Sequence, residues 1–134
     1  MEKVGAKLKS VEVFKMGNLK PAAASPRFAE DGTLRWYAND TFEMNVTITI
    51  TDPSSSPVTI LPNDQIVFSF RSMEKQELFS ISYKGSSISE NTVTLQMTEE
   101  YSSKLPAGTY TFDIIFIHND NKTTISRGNR VVVE

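Results

Sequence analysis

Apolar and polar residues alternate along most of this chain, which is the pattern of half-buried β-strands. The clearest segment is 41–51, where every second side chain is apolar and the side chains between them are polar. Such a strand extends roughly 35 Å at about 3.3 Å per residue, so we expect it to bend or to change partners along its course. The other predicted strands are 9–14, 33–37, 58–61, 65–72, 78–83, 92–98, 109–117, 123–126 and 130–133.

Turn-forming residues separate these strands at intervals of roughly ten residues, which is typical of a β-sandwich or barrel. Segment 109–117 has Ile115 and Ile117 on its otherwise polar face, which predicts a central or covered strand. A single helical turn is predicted at 98–105, with Thr98 as its cap and Pro106 ending it. The predicted turns are 52–57, 84–87, 118–121 and 127–129, each rich in Gly, Pro, Asn, Asp or Ser.

The first part of the chain departs from this pattern. Residues 17–32 contain two prolines and three consecutive alanines without periodicity, and they predict a connector or an ordered arm. We therefore divide the chain into an N-terminal strand with an extended arm, residues 1–38, and a β-sandwich, residues 39–134. Residues 1–16 pair either with the sheet of their own chain or with a neighbouring subunit. The predicted interaction residues are Val11, Val13, Phe14, Trp36 and Tyr37.

Composition and charge remove several classes of function. The chain has no cysteine, which excludes a disulfide framework, a thiol nucleophile, a Cys-ligated zinc site and an iron–sulfur cluster. Its 14 basic residues are scattered among 16 acidic ones, so we expect no nucleic-acid partner. No apolar run approaches the length of a membrane span, and no apolar core of a signal peptide follows the first residues. We expect no membrane partner.

The residues that could support catalysis or metal binding have simpler explanations. His118 is the only histidine and adjoins an Asn-Asp-Asn turn, without a nucleophile motif elsewhere in the chain. Glu99 and Glu100 are neighbours in a turn, where their side chains diverge. Asp120 resembles part of a calcium loop but lacks its ligand spacing, and a hairpin turn explains it. We predict that the protein is not an enzyme and has no catalytic residue, metal or cofactor.

Four segments occur in an order that suggests a family. Asn-Asp-Thr-Phe at 39–42 opens one strand, and Leu-Pro-Asn-Asp at 61–64 precedes another. Met-Thr-Glu-Glu at 97–100 ends a third strand, and Leu-x-x-Gly-x-Tyr-x-x-Asp-Ile at 105–114 begins a fourth. This order resembles the immunoglobulin-like domain of tailed-phage and prophage baseplate proteins, as in the N-terminal domain of the upper baseplate protein family.

The resemblance implies an all-β fold, an immunoglobulin-like antiparallel β-sandwich with an N-terminal extension. It also implies a non-enzymatic structural module of a phage or prophage tail, docking through sandwich faces and edge strands. Its partners would be copies of itself, in a homo-oligomer, and other tail or baseplate proteins. Its location would be the virion, or the bacterial cytoplasm before assembly.

Two other functions remain open at this stage. The first is a bacterial surface or carbohydrate-binding sandwich, which would use Trp36 and Tyr37 as exposed rings that stack on sugars. The opposite interpretation of Trp36 places its large ring in the core or in an interface. An immunity or inhibitor protein that binds one enzyme is a weaker alternative.

Overall fold

The computed structural model describes residues 7–15, 26–29, 32–51, 58–89 and 91–134, and their strands form two β-sheets. The predicted all-β fold is confirmed. The strands are β1 (Lys7–Lys15), β2 (Arg27–Phe28), β3 (Leu34–Trp36), β4 (Phe42–Thr51), β5 (Gln65–Ser72), β6 (Glu77–Lys84), β7 (Thr92–Met97), β8 (Gly108–His118) and β9 (Asn121–Val133). A 3₁₀ turn, Gly85–Ser87, follows β6, and a four-residue helix, α1 (Glu99–Ser102), connects β7 to β8.

The order of the strands is that of an immunoglobulin-like sandwich. One sheet has the order β1-β4-β7 and the other β2-β3-β9-β8-β5-β6. These orders correspond to A-B-E and G-F-C-C′ in immunoglobulin domains, with β2 and β3 added beside β9. The pairing is antiparallel throughout except between β3 and β9, which run parallel. The predicted sandwich is therefore correct, and the parallel pair is its one departure from an antiparallel arrangement among the described strands.

The core lies between the two sheets because each strand turns alternate side chains inward. Met44, Val46 and Ile48 of β4 are fully buried, and they belong to the same apolar cluster as Phe68 and Phe70 of β5. Burying a side chain of this size contributes roughly 1.5–3 kcal/mol. The cluster also includes residues of β3, β6, β7, β8 and β9, so a single core supports both sheets.

A tyrosine corner stabilises the connection into β8. The hydroxyl of Tyr110 donates a hydrogen bond of 2.6 Å to the carbonyl of Pro106, four residues earlier. Immunoglobulin-like domains use the same device at the start of their strand F. Two residues further on, Phe112 points into the core. The predicted single helical turn is confirmed as α1, although the Thr98 side chain makes no capping hydrogen bond.

Strand β4 changes partners along its length, as its sequence predicts. On one side it pairs with β1 from Met44 to Thr51. On the other side β7 pairs with it only from Phe42 to Thr47. Beyond that point the carbonyl of Ile50 accepts a hydrogen bond of 2.8 Å from the amide of Val58. The prediction of a strand at 58–61 is wrong: one backbone bond reaches this segment from β4, and no ladder forms there.

The N-terminal strand pairs within its own chain. In β1, Val11 lies opposite Ile48 of β4, which favours the first of the two predicted arrangements for the described part, residues 7–15. Leu34 and Trp36 of β3 are 1% and 0% exposed, so the predicted arm contributes two side chains to the core. The predicted boundary between the arm and the sandwich, after residue 38, therefore comes after β3, a strand that already contributes to the core. Residues 1–6, 16–25 and 30–31 of the predicted extension lie outside the described residues.

The predicted turn at 127–129 is wrong, and so is the division of this region into two strands. Segments 123–126, 127–129 and 130–133 all belong to the continuous strand β9. Phe112 of β8 lies opposite Asn129 and Ile114 opposite Ser126, so one residue of β8 faces two residues of β9. This arrangement is a β-bulge, in which Gly128 adopts a φ of +70°. Glycine and asparagine mark bulges as well as turns, and composition did not distinguish them.

Candidate protein-interaction surfaces

The two predicted aromatic residues do not form a common platform. Trp36 is fully buried, and its ring packs against Phe42 with 5.1 Å between ring centroids. The side chain of Tyr37 is 46% exposed. Successive side chains on an extended chain point to opposite sides, which explains the separation. Trp36 therefore presents no ring face to a ligand, and Tyr37 alone of the pair lies at the surface.

Val11, Val13 and Phe14 lie in a strand at the margin of its sheet. Strand β1 is the first in the order β1-β4-β7, and its other side has no partner strand among the described residues. The backbone of these three residues pairs with β4. Their predicted role in binding another chain stays a prediction.

The longest described margin of the six-stranded sheet is β6, here called the β6 edge (Glu77–Lys84). It pairs with β5 on one side, and no described strand pairs with it on the other. Phe79 and Ile81 point into the core, whereas Ser80 is exposed on the opposite face. A strand with unpaired backbone groups can accept an added strand from another chain. Its terminal residues, Glu77 and Lys84, carry opposite charges.

Tyr83 connects the β6 edge to the other sheet. Its hydroxyl oxygen accepts a hydrogen bond of 2.9 Å from the amide of Gln96 in β7. Burial raises the pKa of Tyr83 above its ordinary value of 10.0, the Gln96 amide opposes this effect, and nearby Tyr101 adds to it. Burial likewise raises the pKa of Tyr110 in the tyrosine corner. Both phenols are therefore favoured in their neutral form in the folded protein.

The outer face of the six-stranded sheet carries a partly apolar surface. Strand β8 lies between β5 and β9, which confirms the prediction that 109–117 is a central strand. Val67 of β5 lies opposite Ile115 of β8, and Ile117 follows on the same face. All three side chains are half-buried. This surface has apolar area available to a partner.

A groove adjoins the bulge in β9. It has a volume of about 420 Å³, and we call it the bulge groove; its lining residues are Arg71, Met73, Lys75, Thr111, Asp113, Thr124, Arg127 and Gly128. The extra residue of the bulge is held by side chains. The Gly128 amide donates to Oδ1 of Asp113 at 2.8 Å, and Nδ2 of Asn129 donates to the carbonyl of Phe112 at 2.9 Å. The backbone on this side of the groove is therefore fixed.

Arg71 lies on the opposite side of the groove and shares the Asp113 carboxylate with the bulge. Its Nη1 donates to the carbonyl of Lys75 at 3.0 Å, and its Nη2 lies 3.8 Å from Oε1 of Glu77. Its Nε is buried and lies 3.4 Å from Oδ2 of Asp113, although this ion pair lacks the geometry of a hydrogen bond. The charge of Arg71 is thus largely balanced by the two carboxylates. The groove corresponds to no sequence motif, because its residues come from distant parts of the chain.

The half-buried His118 has a buried partner. Nδ1 of His118 lies 2.8 Å from Oδ1 of Asp64, whose residue is only 3% exposed. The other carboxylate oxygen accepts the Leu61 amide at 2.8 Å. On its far side, Nε2 of His118 lies 3.3 Å from Nδ2 of Asn119. The arrangement orients a turn, since the ring nitrogens contact a carboxylate and an amide and not a nucleophile.

The described part of the chain contains no group of three or more His, Cys, Asp or Glu side chains placed to hold a metal ion. Its helices are all too short to span a membrane. The predicted hairpin at 118–121 is present, with positive φ angles at Asn119 and Asp120, and this explains the Asn-Asp-Asn sequence without a metal.

Comparison of the chain with protein-family models, with curated proteins and with solved structures gives no match.

Proposed function

We propose that this protein is a non-enzymatic structural module that assembles with copies of itself and with other proteins through its sheet margins and faces. The observation that carries the proposal is the β6 edge, an eight-residue strand that no other described strand covers. A long uncovered edge promotes pairing between chains, and soluble proteins usually block it with charges, bulges or covering segments. The one bulge in β6 lies near its start, at Leu78, and the outward side chains at its centre, Ser80 and Ser82, are small and uncharged.

The occupant of this edge is a second copy of the chain, paired antiparallel about a two-fold axis. A continuous sheet requires Phe79, Ile81 and Tyr83 to stay on one face, which restricts the axis to positions such as Ser80 or Ile81. Either position brings Lys84 of one chain to within one residue of Glu77 of the partner subunit. The opposite charges at the two ends of β6 are therefore complementary in this dimer.

The larger assembly is the tail of a phage or prophage, with the protein in its baseplate. The support is the order of sequence segments between 39 and 114, which resembles the immunoglobulin-like domains of baseplate proteins. The tyrosine corner gives one of these segments, 105–114, a clear structural purpose. Tyrosine corners are widespread in immunoglobulin-like domains, so the order of segments is the specific part of the argument.

Sedimentation velocity over a range of chain concentrations tests the dimer. We expect a reversible monomer–dimer equilibrium, weakened about tenfold or more by Ser80→Lys, because the substitution brings two positive charges together across the new pair. The matched control is Ser86→Lys, which adds the same charge at an exposed position outside β6. A protein that stays monomeric at millimolar concentration, or equal weakening by both substitutions, would refute pairing through β6.

The tail assignment has a separate test. We expect the gene to lie among tail genes, and we expect the protein in purified tail particles analysed by mass spectrometry. Its absence from such particles, or a gene remote from any tail gene, would contradict this part of the proposal and leave the dimer untouched.

The carbohydrate-binding alternative receives less support. It relied on Trp36 and Tyr37 as adjacent stacking rings, and Trp36 is fully buried. Tyr37 remains at the surface, where a single ring supplies only part of such a platform.

A further inference from the structure

We propose that the bulge groove binds a carboxylate-bearing segment of a partner protein. This inference extends the proposed docking function, which it presupposes, by assigning the chemistry of one partner at a site away from the β6 edge. The groove spans β5, β8, β9 and the β5–β6 turn. Its volume of about 420 Å³ lies within the range of ligand-binding clefts.

Two positive charges in the groove have no partner in the described part of the chain. The side chains of Lys75 and Arg127 are exposed, and neither forms an ion pair or hydrogen bond with another described residue. Arg71 differs, because Asp113 and Glu77 balance its charge. The groove thus has two cations available at its rim, in a chain whose formal net charge is −2.

Two hydroxyl groups at the same place are also available. Thr111 of β8 and Thr124 of β9 line the groove, and their hydroxyls form no hydrogen bond with any described residue. Both are half-buried on the outer face of the sheet. A hydroxyl group donates to carboxylate oxygen, and a cationic donor strengthens such a contact further. The two cations at the rim and the two threonine hydroxyls can therefore donate hydrogen bonds to the same anionic group.

The charges favour a carboxylate over a phosphate. Asp113 is part of the floor, and Glu77 lies just beyond Arg71. Both repel a doubly charged phosphate more strongly than a singly charged carboxylate. A peptide is favoured over a free carboxylic acid because the groove is open and Met73, 52% exposed, adds apolar area beside the cations. An extended acidic segment can contact Met73 and the donors together.

Nuclear magnetic resonance titration of the whole chain tests the proposal. The probe is the peptide acetyl-Gly-Glu-Glu-Gly-amide, and acetyl-Gly-Gln-Gln-Gly-amide is its uncharged match. We expect the glutamate peptide to shift the backbone amide signals of Lys75, Thr111 and Gly128, while the glutamine peptide leaves them unchanged. Acetate and inorganic phosphate, titrated separately, distinguish a free carboxylate and a phosphate from the peptide. Equal or tighter binding of either small anion would overturn the assignment to a peptide.

Substitutions then distinguish specific binding in the groove from general electrostatic attraction to the protein surface. We expect Lys75→Glu with Arg127→Glu to abolish the shifts, and Thr111→Val with Thr124→Val to weaken binding several-fold without changing the charge. The control pair, Lys104→Glu with Lys122→Glu, makes the same change of charge at exposed positions outside both the groove and β6. Binding that falls equally in the control pair, or no shift with the glutamate peptide, would overturn the proposal. Sedimentation of the same variants reports on the β6 dimer independently, so the failure of one proposal is distinguishable from the failure of the other.

Discussion

The phenolic oxygen of Tyr83 lies 2.9 Å from the backbone nitrogen of Gln96, and this hydrogen bond joins the outermost strands of the two sheets. Strand β6 ends the six-stranded sheet and β7 ends the three-stranded one. No described strand continues either sheet at this side. The Tyr83 hydroxyl contacts the outer edge of β7 at Gln96, and the backbone of Ser89 bonds Thr92 on the same edge.

Alkaline conditions should weaken the fold through this tyrosine. Burial raises the pKa of Tyr83 and of Tyr110 above 10.0, so the folded state favours the neutral phenols. This contribution to stability is complete below about pH 10 and is lost as the pH rises through the raised values. We expect the free energy of unfolding in guanidinium chloride to fall above about pH 10, and less steeply in Tyr83→Phe.

Absorbance at the tyrosinate band provides the direct check of that prediction. We expect Tyr83 and Tyr110 to titrate above pH 10 in the folded protein. If both titrate at their ordinary pKa in the native state, the protective effect of burial is absent.

Gly85 has no room for a side chain. An added Cβ would lie 1.8 Å from the carbonyl oxygen of Leu61, which is backbone and cannot rotate away. The Gly85 amide also donates to the carbonyl of Asp64 at 2.7 Å, which fixes its position. We expect Gly85→Ala to lower the free energy of unfolding by about 3 kcal/mol, measured by chemical denaturation.

Gly32→Ala is the matched control for that substitution. Nothing lies within 4 Å of its added Cβ, although its φ of +88° is strained for alanine. Only the backbone term should remain, about 1 kcal/mol. A loss at Gly85 no larger than at Gly32 would show that the Leu61 carbonyl moves aside.

The buried carboxylate of Asp64 should contribute strongly to the free energy of unfolding. Its carboxylate accepts the Leu61 amide and contacts His118, and almost none of it reaches solvent. We expect Asp64→Ala to cost about 2–3 kcal/mol, because both donors lose their partner. Asp64→Asn keeps one acceptor and should cost less. Equal losses for the two variants would contradict the role of the hydrogen bonds, and thermal denaturation at neutral pH compares them.

Trp36 provides a decisive test between two roles for one ring. Removing a fully buried aromatic side chain typically costs about 3–5 kcal/mol, so Trp36→Ala should lower the melting temperature strongly or prevent folding. Trp36→Phe should be milder because much of the ring volume remains. If Trp36→Ala leaves the melting temperature unchanged, Trp36 is not a core residue, and the carbohydrate-binding alternative regains its support.

The sequence predicted those elements whose signal is local. Segment 65–72 coincides with β5, and the alternation of 41–51 locates β4 to within a residue. The bulge in β9 was missed because Gly128 and Asn129 have the composition of a turn, and only pairing with β8 distinguishes the two. The same limit applies to contacts between distant residues: His118 and Asp64 are 54 positions apart, and no periodicity connects them.

The candidate sites show the same division. Alternation places Ile115 on an outer face, and the structure has it half-buried there. It left two interpretations of Trp36, core or surface, because the predicted segment 33–37 has too short a pattern to identify its inner face. The bulge groove was beyond prediction, since its residues come from three separate parts of the chain.

The parallel pairing of β3 with β9 has a consequence for synthesis of the protein. Leu34 lies opposite Val131, and the Arg35 side chain reaches Glu134, 99 positions later. On the ribosome, β3 emerges long before its partner exists, and the six-stranded sheet cannot be completed until β9 has left the exit tunnel. Such distant contacts make folding slow, in the range of milliseconds to seconds. During that interval the side of β3 that later pairs with β9 has no partner strand from its own chain, and unpaired strand edges of this kind promote misassembly such as domain swapping.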